Sequence, residues 1–569
     1  MKYSNTKRNI FLPLMLAISL IAGIVIGIVL PRQNLMQQHS SIRARNDKIN
    51  SILNIIESSY VDSVNRNDLV EAAVPAILKK LDPHSVYIPA KDLVRANEPL
   101  QGNFEGIGIS FNILSDTILV ISTIPGGPSE KLGLEAGDRI IYVNDSLVAG
   151  KRISDDDVMR MLKGPRGTVV RVRIYRKGQK DLLTFNITRD KIPIYSVDVN
   201  YMVNATTGYL RINNFAMTTY DEFMKGLTEL RNRGMSKLIL DLRGNSGGLM
   251  DPAIQIANEF LQEGQLIVYT QGRTQPRNNF TANGKGDFKT GDLVILIDEW
   301  SASASEILAG AIQDNDRGMI IGRRSFGKGL VQEPIQFTDG SGMRLTIARY
   351  YTPTGRSIQK PYNNGFDEYY DDLNARYDRG EFERPDSIHF SDSLKFTTPG
   401  GRIVYGGGGI MPDKFIPVDT SGVSPYFLKV RPFIYQFALN YTQKNRDVLR
   451  NFSDPYELEK YLDTQGLLDQ FTEYAYRNGS QPVQPAAEVK NPEMTGNPPD
   501  IVIIPARPAR TGGVKPDPEG LRISGNIIHT QIKAYIARNI MDNKGFYPIW
   551  EKLDTTLKYA ISFLEQNTI

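Results

Sequence analysis

Cysteine is absent from all 569 residues. That excludes a thiol nucleophile, a disulfide framework and any zinc site built on thiolates. Histidine is nearly as scarce, with His39, His84, His389 and His529 the only four. The formal net charge is +4 over the whole length, and no Lys/Arg block is dense enough to track phosphates, so nucleic acid is not an expected partner. What is present is globular in composition, 41% hydrophobic and 23% charged. The chain is too long for one ordinary core, and several domains are expected.

One long apolar run stands out. Lys2, Lys7 and Arg8 precede an uncharged stretch over residues 9–30, closed by Pro31 and Arg32. About 20 apolar residues at a rise of ~1.5 Å match the thickness of a bilayer core. A cleaved signal peptide would have a shorter run ending in small residues, whereas this one ends I-G-I-V-L-P-R. Residues 1–31 are therefore expected to be a cytoplasmic tail and an uncleaved membrane anchor. The basic residues before the span place everything after Arg32 outside the cytoplasm.

Beyond the anchor the texture changes several times. Residues 32–97 carry apolar residues at helical spacing (Ile49, Ile52, Leu53 and Ile56, then Leu69, Ala73 and Ile77) and read as a helical region. Residues 98–190 consist of short β-rich runs between Gly and Pro turns, with one helix near 155–162. Residues 191–417 alternate strands and helices, which predicts a largely parallel sheet covered by helices. Within this stretch, residues 361–400 are rich in Asp, Glu, Tyr and Asn and read as an exposed insertion. A helical stretch over 418–478, a proline-rich linker over 479–519 and a helical tail over 520–569 complete the chain. No internal repeat is visible.

Four segments have the residue types that chemistry needs. Residues 298–306, D-E-W-S-A-S-A-S-E, lie between an apolar strand and an amphipathic helix. A serine there is exposed, and the free N–H groups of the helix can face a developing oxyanion. Serines at such a place also serve as helix caps, and nothing local chooses among Ser301, Ser303 and Ser305. Residues 325–332, S-F-G-K-G-L-V-Q, place Lys328 among glycines and apolar residues, where burial would lower its pKa and free a neutral base. An exposed turn lysine is the alternative. Residues 241–248, D-L-R-G-N-S-G-G, end in Gly247 and Gly248, a plain turn or a source of an oxyanion N–H. Residues 104–111, F-E-G-I-G-I-S-F, hold Gly106, Ile107, Gly108 and Ile109, either a bulged strand or a backbone nest for a terminal carboxylate. Residues 322–328, G-R-R-S-F-G-K, imitate a phosphate-binding loop, but Gly329 replaces the magnesium-binding Ser/Thr and the following segment is strand-like.

In order along residues 50–417 these segments resemble the C-terminal processing peptidases, or tail-specific proteases. The resemblance rests on L-D-P-H-S at 81–85, F-E-G-I-G at 104–108 and G-L-E-A-G-D-R-I at 133–140, followed by D-L-R-G-N-S-G-G, S-A-S-A-S-E, S-F-G-K-G with Gln332, and Y-Y-T-P-T-G-R-S-I at 350–358. It implies a multidomain α/β protein: a helical N-terminal region, a PDZ domain, an α/β protease core of the crotonase-like or ClpP-like type and a helical C-terminal extension. It further implies that Ser303 is the nucleophile, Lys328 the base and Gln332 the residue orienting that lysine. Ala304 and the Gly247–Gly248 turn would supply the oxyanion donors. Ser325 stands where the family usually has Thr, a departure that touches no proposed catalytic atom.

The implied activity is a serine endopeptidase that captures the free C-terminus of a protein substrate in the PDZ groove, with residues near Val158 and Leu162 shaping side-chain preference. Neither metal nor cofactor is implied, and a homo-oligomer is allowed. No histidine falls in the strand–helix region around Ser303, so a Ser-His-Asp triad is not expected, and His84 is expected to stabilise a turn. The expected location is the bacterial inner membrane, with the catalytic domain in the periplasm. The rival reading is an inactive PDZ adaptor on a dead protease fold, against which Ser303, Lys328 and Gln332 occur together.

Overall fold

The computed structural model describes residues 47–566 except 115, 364, 389–390 and 479–512, together with Met15. The anchor, His39, His389 and most of the proline-rich linker therefore lie outside the described residues. Among those described, no helix is long and apolar enough to cross a membrane and no side-chain cluster could hold a metal ion.

The chain divides into two compact units, residues 1–80 and 81–569. In the first, helices Lys48–Ser59 and Arg66–Leu78 are cross-linked by the Arg66 guanidinium, which donates to Asn54 Oδ1 at 2.7 Å and Asn50 Oδ1 at 2.8 Å. The helical region expected over 32–97 is thus split. Residues 81–97 belong to the larger unit, where strand Val86–Ile88 pairs antiparallel with Gly342–Tyr351.

A two-stranded ribbon, Asn103–Gly106 with Asp190–Pro193, brackets the β-rich module. Within it, strands Ile109–Ile113, Ile118–Thr123, Arg139–Val143, Val169–Tyr175 and Leu183–Thr188 form an antiparallel sheet in that spatial order, so Ile109–Ile113 is an edge strand. Val170, Val172 and Ile174 alternate inward along one strand, as a half-buried sheet requires. The helix Asp155–Leu162 starts where Ser154 and Asp157 form a capping box. Its Val158 and Leu162 are buried in the module's core. Any side-chain preference set on this helix must therefore come from its neighbours and not from these two buried side chains.

The protease region is built on a six-stranded sheet in the order Val197–Met202, Thr207–Ile212, Lys237–Asp241, Asp292–Ile297, Met319–Gly322 and Lys414–Phe415. All neighbours are parallel except the first pair. Helices Thr219–Asn232, Met250–Phe260 and Ala304–Asp314 pack on one face. A second, antiparallel sheet joins Val86–Ile88, Gly342–Tyr351, Leu266–Gln271 and Asn278–Thr281, with Leu330–Gln336 also paired to Gly342–Tyr351.

The segment read as an exposed insertion is not a detached loop. Its helix Phe366–Asp378 buries Tyr369 and Arg376, and Arg376 donates to the carbonyls of Arg324 and Ser325 at 2.7 and 3.1 Å. Nor are the last residues a free tail. Helix Pro518–Trp550 packs on Pro425–Lys444 through a shared core that includes Val430, Ile434, Ile528 and Ile532. Helix Thr555–Gln566 lays Leu557, Ala560 and Leu564 over Tyr209, Ile239, Val294 and Leu296, the other face of the six-stranded sheet. Each buried leucine there stabilises by about 1.5–3 kcal/mol, and the sheet gains the second cover that parallel strands require.

Candidate active site

Strand Asp292–Ile297 is buried along its whole length. It turns at residues 298–303 into helix Ala304–Asp314, itself wholly buried. The three serines of that turn have different fates. Ser301 Oγ donates to Leu242 O and Ser305 Oγ to Asn245 O, both at 2.9 Å, and both side chains are fully buried. Their hydroxyls tie the turn to the neighbouring 241–248 segment. Ser303 lies between them, partly exposed, with φ 54° and ψ −111°. A non-glycine residue in so sparsely populated a region costs about 1–3 kcal/mol and persists only where its surroundings impose it. Gly247 is part of those surroundings, because a Cβ there would stand 2.7 Å from both Ala302 O and Ser303 Cβ.

Lys328 is 9% exposed, and its Nζ donates to Gln332 Oε1 at 3.0 Å. Burial lowers the amine to about 8; the nearby Arg344 adds to the lowering, and Asp82 and Glu306 oppose it. The Gln332 amide is oriented in turn, because its Nε2 donates to the carbonyl of His84. That carbonyl is placed by Asp82, whose carboxylate accepts from the N–H groups of His84 and Ser85, each at 2.8 Å, and from Ser85 Oγ at 2.6 Å. The L-D-P-H-S motif therefore reaches the site through backbone. The His84 imidazole faces elsewhere, its Nε2 2.8 Å from Tyr369 Oη. Burial pushes it down to about 2, with Lys328 and Lys360 adding to the effect, so it is neutral at physiological pH.

Two residues not singled out in the sequence join the Ser303 and Lys328 segments. The buried Glu306 carboxylate accepts from Ser303 N (2.8 Å), Lys328 N (2.9 Å), Gly327 N (2.7 Å) and Ser325 Oγ (2.5 Å). The buried Tyr350 hydroxyl lies 3.0 Å from Ser303 O and 2.5 Å from Lys328 O. Glu306 had a sequence signal, since Ser303 and Glu306 have the spacing of a capping box. Tyr350 had none. Ser325, where the family usually has Thr, bonds Glu306 and also accepts from Ile410 N at 2.6 Å, so its hydroxyl belongs to the frame of the site.

Ala304 and the Gly247–Gly248 turn, expected to supply oxyanion donors, have different backbone partners. Ala304 is the first residue of its helix, where backbone N–H groups have no intrahelical acceptor. Gly247 N–H is taken, donating to Asn245 Oδ1 at 2.8 Å. Gly247 O accepts from Phe215 N at 2.8 Å. Since C=O and N–H oppose each other across a trans peptide, the N–H of Gly248 points away from Phe215.

Comparison with known proteins gives the chain its family. Residues 206–367 match peptidase family S41, 119–176 a PDZ domain, 29–92 the activating protease CtpB N-terminal domain and 427–494 a family of unknown function. The carboxy-terminal-processing protease of Bartonella bacilliformis is 36% identical over 322 residues, 55% of this chain and 72% of the relative. The chain belongs to the S41 C-terminal processing serine proteases. CtpB of Bacillus subtilis is 33% identical over 319 residues, covering 55% of this chain and 65% of CtpB. Among solved structures, the photosystem II D1 C-terminal processing protease aligns at 30% identity over 54% of this chain and 88% of its own, with a TM-score of 0.31.

In this protease the backbone of the PDZ loop has a defined orientation. Gly108 has φ +74°, and the carbonyls of Ile107 and Gly108 accept from Ser129 N (3.2 Å) and Ile124 N (3.0 Å). The trans peptides then turn the N–H groups of Gly108 and Ile109 away from those partners. Ile109 begins the edge strand, where one further strand can pair. The helical C-terminal region braces the catalytic segment from the other side. Arg243, within D-L-R-G-N-S-G-G, is clamped between Asp241 and Asp554, donating to the two Asp554 oxygens at 2.9 and 2.6 Å.

Proposed function

We propose that the protease captures the free C-terminus of a protein substrate on the Gly106–Ile109 loop and hydrolyses a peptide bond upstream at Ser303. The observation that carries this reading is a buried lysine amine, held by Gln332 and lowered to about 8, on a segment bound to the Ser303 turn through Glu306 and Tyr350. Neutral Lys328 takes the proton of Ser303 Oγ as the oxygen adds to the substrate carbonyl. Ala304 N–H, with the N–H of Gly248 from the Gly247–Gly248 turn, stabilises the oxyanion. The C–N bond breaks as the Lys328 ammonium returns the proton to the leaving amine. Lys328 then takes a proton from water as its oxygen attacks the acyl ester; the bond from the acyl carbon to Ser303 Oγ breaks, the Lys328 ammonium returns the proton to that oxygen, and the carboxylic acid product leaves.

A serine-directed fluorophosphonate should label the native chain and leave Ser303→Ala unlabelled. Labelling of the variant at the native rate would place the nucleophile elsewhere. Capture has its own test in matched peptides with acid and amide termini. The acid should have a kcat/KM at least about tenfold higher, since a charge-assisted bond to backbone donors is worth roughly 1.5–3 kcal/mol. Equal values would remove the PDZ loop from capture while leaving the chemistry at Ser303 in place.

We further propose that the chain stays in the inner membrane of a bacterial envelope with its catalytic region in the periplasm, because basic residues precede an uncharged run at 9–30. N-terminal sequencing of the mature protein should find residues before Pro31. A soluble product starting near Gln33 would refute it.

A further inference from the structure

The PDZ domain is held by two separate sets of contacts. On the side of the protease region, Arg95 and Glu98 of helix Ala90–Gln101 pair with Asp156, at 2.7 Å, and with Lys163. Arg344, on the strand that also carries Tyr350, donates to Ala96 O of the same helix at 2.8 Å. A second set of contacts comes from the C-terminal helices. Arg446 pairs with Glu135 and donates to Ala136 O at 2.6 Å, Arg450 donates to Glu135 Oε1 at 2.7 Å, and Gln443 Nε2 donates to Gly137 O at 3.1 Å. Approach is close enough that a Cβ on Gly137 would lie 2.1 Å from Gln443 Nε2. Burial opposes ionisation of Glu135, but the surrounding guanidiniums outweigh it and hold the carboxyl low. Helix Pro518–Trp550 also packs on PDZ strand Ile118–Thr123.

We propose that this C-terminal latch, Gln443, Arg446 and Arg450 on residues 135–137, makes the PDZ domain a ruler. It fixes the separation between the captured C-terminus and Ser303, and so determines which peptide bond is cut. The proposal rests on the capture reading above. Its physics is simple: an extended substrate advances about 3.3–3.4 Å per residue, so a PDZ domain free to move by one such step would present a neighbouring bond to the nucleophile. Without the latch, the domain keeps only its ribbon, two ion pairs and the packing of helix Pro518–Trp550 on one strand, which leave it that freedom. Ion pairs this exposed are individually weak, but here they act together with two backbone hydrogen bonds at a close-packed turn.

The test uses the full-length chain and one long acid-terminated peptide, with products identified by mass spectrometry. Because the chain has no cysteine, a Glu135→Cys/Arg446→Cys pair can open the latch and a short bismaleimide can close it again. The native chain should cut one dominant bond. The open variant should spread its cuts over adjacent bonds and lose about tenfold in kcat/KM, as expected for a misplaced substrate, while fluorophosphonate labelling of Ser303 keeps its native rate. Cross-linking should restore the single cut. Arg446→Lys/Arg450→Lys, which keeps the charges, should stay closer to native register than Arg446→Ala/Arg450→Ala. An unchanged cutting pattern in the open variant, or a higher kcat/KM, overturns the ruler. If the native chain cleaves acid and amide peptides equally, the capture reading fails. If it prefers the acid but the open variant keeps its register, only the ruler fails.

Discussion

Lys328→Arg is expected to be as inactive as Lys328→Ala, with acyl-enzyme formation reduced by at least about 10³-fold in both, within the range a general base contributes. The amine can accept the Ser303 proton only when neutral. In water it would be almost wholly charged at pH 7, but in the folded site burial lowers it from 10.5 to about 8. Disfavouring the charged form to that extent corresponds to about 3 kcal/mol. Acylation should therefore rise with pH through about 8, with roughly a tenth of the sites in the active form at pH 7. Arginine keeps its charge throughout and can supply no neutral form. Gln332→Ala should act more mildly, since the proton acceptor remains and only its orientation is lost.

The same burial has a consequence for stability. Below pH 10.5 the unfolded lysine binds a proton that the folded site holds less readily, so this group costs stability across neutral pH, and the cost disappears as pH rises from about 8 to 10.5. Lys328→Met should then be more stable than native by about 1–3 kcal/mol at pH 7 while inactive. Rapid-quench measurement of acylation against pH, with denaturant unfolding of each variant, checks both statements. Near-native acylation by Lys328→Arg would show that the base is another group.

Much of this architecture is local, and local signals are legible in a sequence. The helix read near 155–162 is found as Asp155–Leu162, and one of the β-rich runs between Gly and Pro turns is strand Val169–Tyr175. The second antiparallel sheet was not legible, because Leu266–Gln271 and Asn278–Thr281 are short and partly polar, and their hairpin joins the sheet only where Leu266–Gln271 pairs with Gly342–Tyr351, far along the chain. The C-terminal helices gave a helical period but no indication of what they cover. Contacts such as Arg243 to Asp554 join residues 311 positions apart, and no pattern announces them.

The site divides the same way. Residue types and spacing nominated the S-A-S-A-S-E and F-G-K-G segments, yet within the first the three serines are locally equivalent. What separates them is that Ser301 and Ser305 are committed to carbonyls 59 and 60 residues earlier. Sequence resemblance chose Ser303, and the hydrogen bonds supply a physical reason for the choice.

Glu306→Gln should lower kcat by about 10²-fold or more with a smaller change in KM, because the carboxylate builds the site without reaching the substrate. It collects four donors, the N–H groups of Ser303, Gly327 and Lys328 and the hydroxyl of Ser325. An amide keeps one acceptor oxygen and turns an NH₂ toward the remaining donors, and each buried donor left unsatisfied costs about 1–3 kcal/mol. The strained Ser303 backbone then loses the contact that imposes it, and Lys328 loses the bond that ties its segment to the serine turn. Burial also raises the Glu306 carboxyl to about 7, against the pull of its four hydrogen bonds. Between 4.5 and about 7 the folded chain binds this proton and the unfolded chain does not, so the group's contribution to stability falls as pH rises through that window. Activity runs the other way, since the protonated acid can no longer serve all four donors. Two protonations therefore bear on the acid side, Lys328 near 8 and Glu306 near 7. A plot of log kcat/KM against pH should have slope one between those values and approach slope two below them. Glu306→Gln should retain only the single-proton slope, at low amplitude. Steady-state kinetics from pH 5.5 to 9 on both proteins, with unfolding curves to separate site damage from loss of fold, decides the matter. A native profile that holds slope one down to pH 5.5, alongside near-native kcat in Glu306→Gln, would show that the carboxylate does not position the catalytic pair.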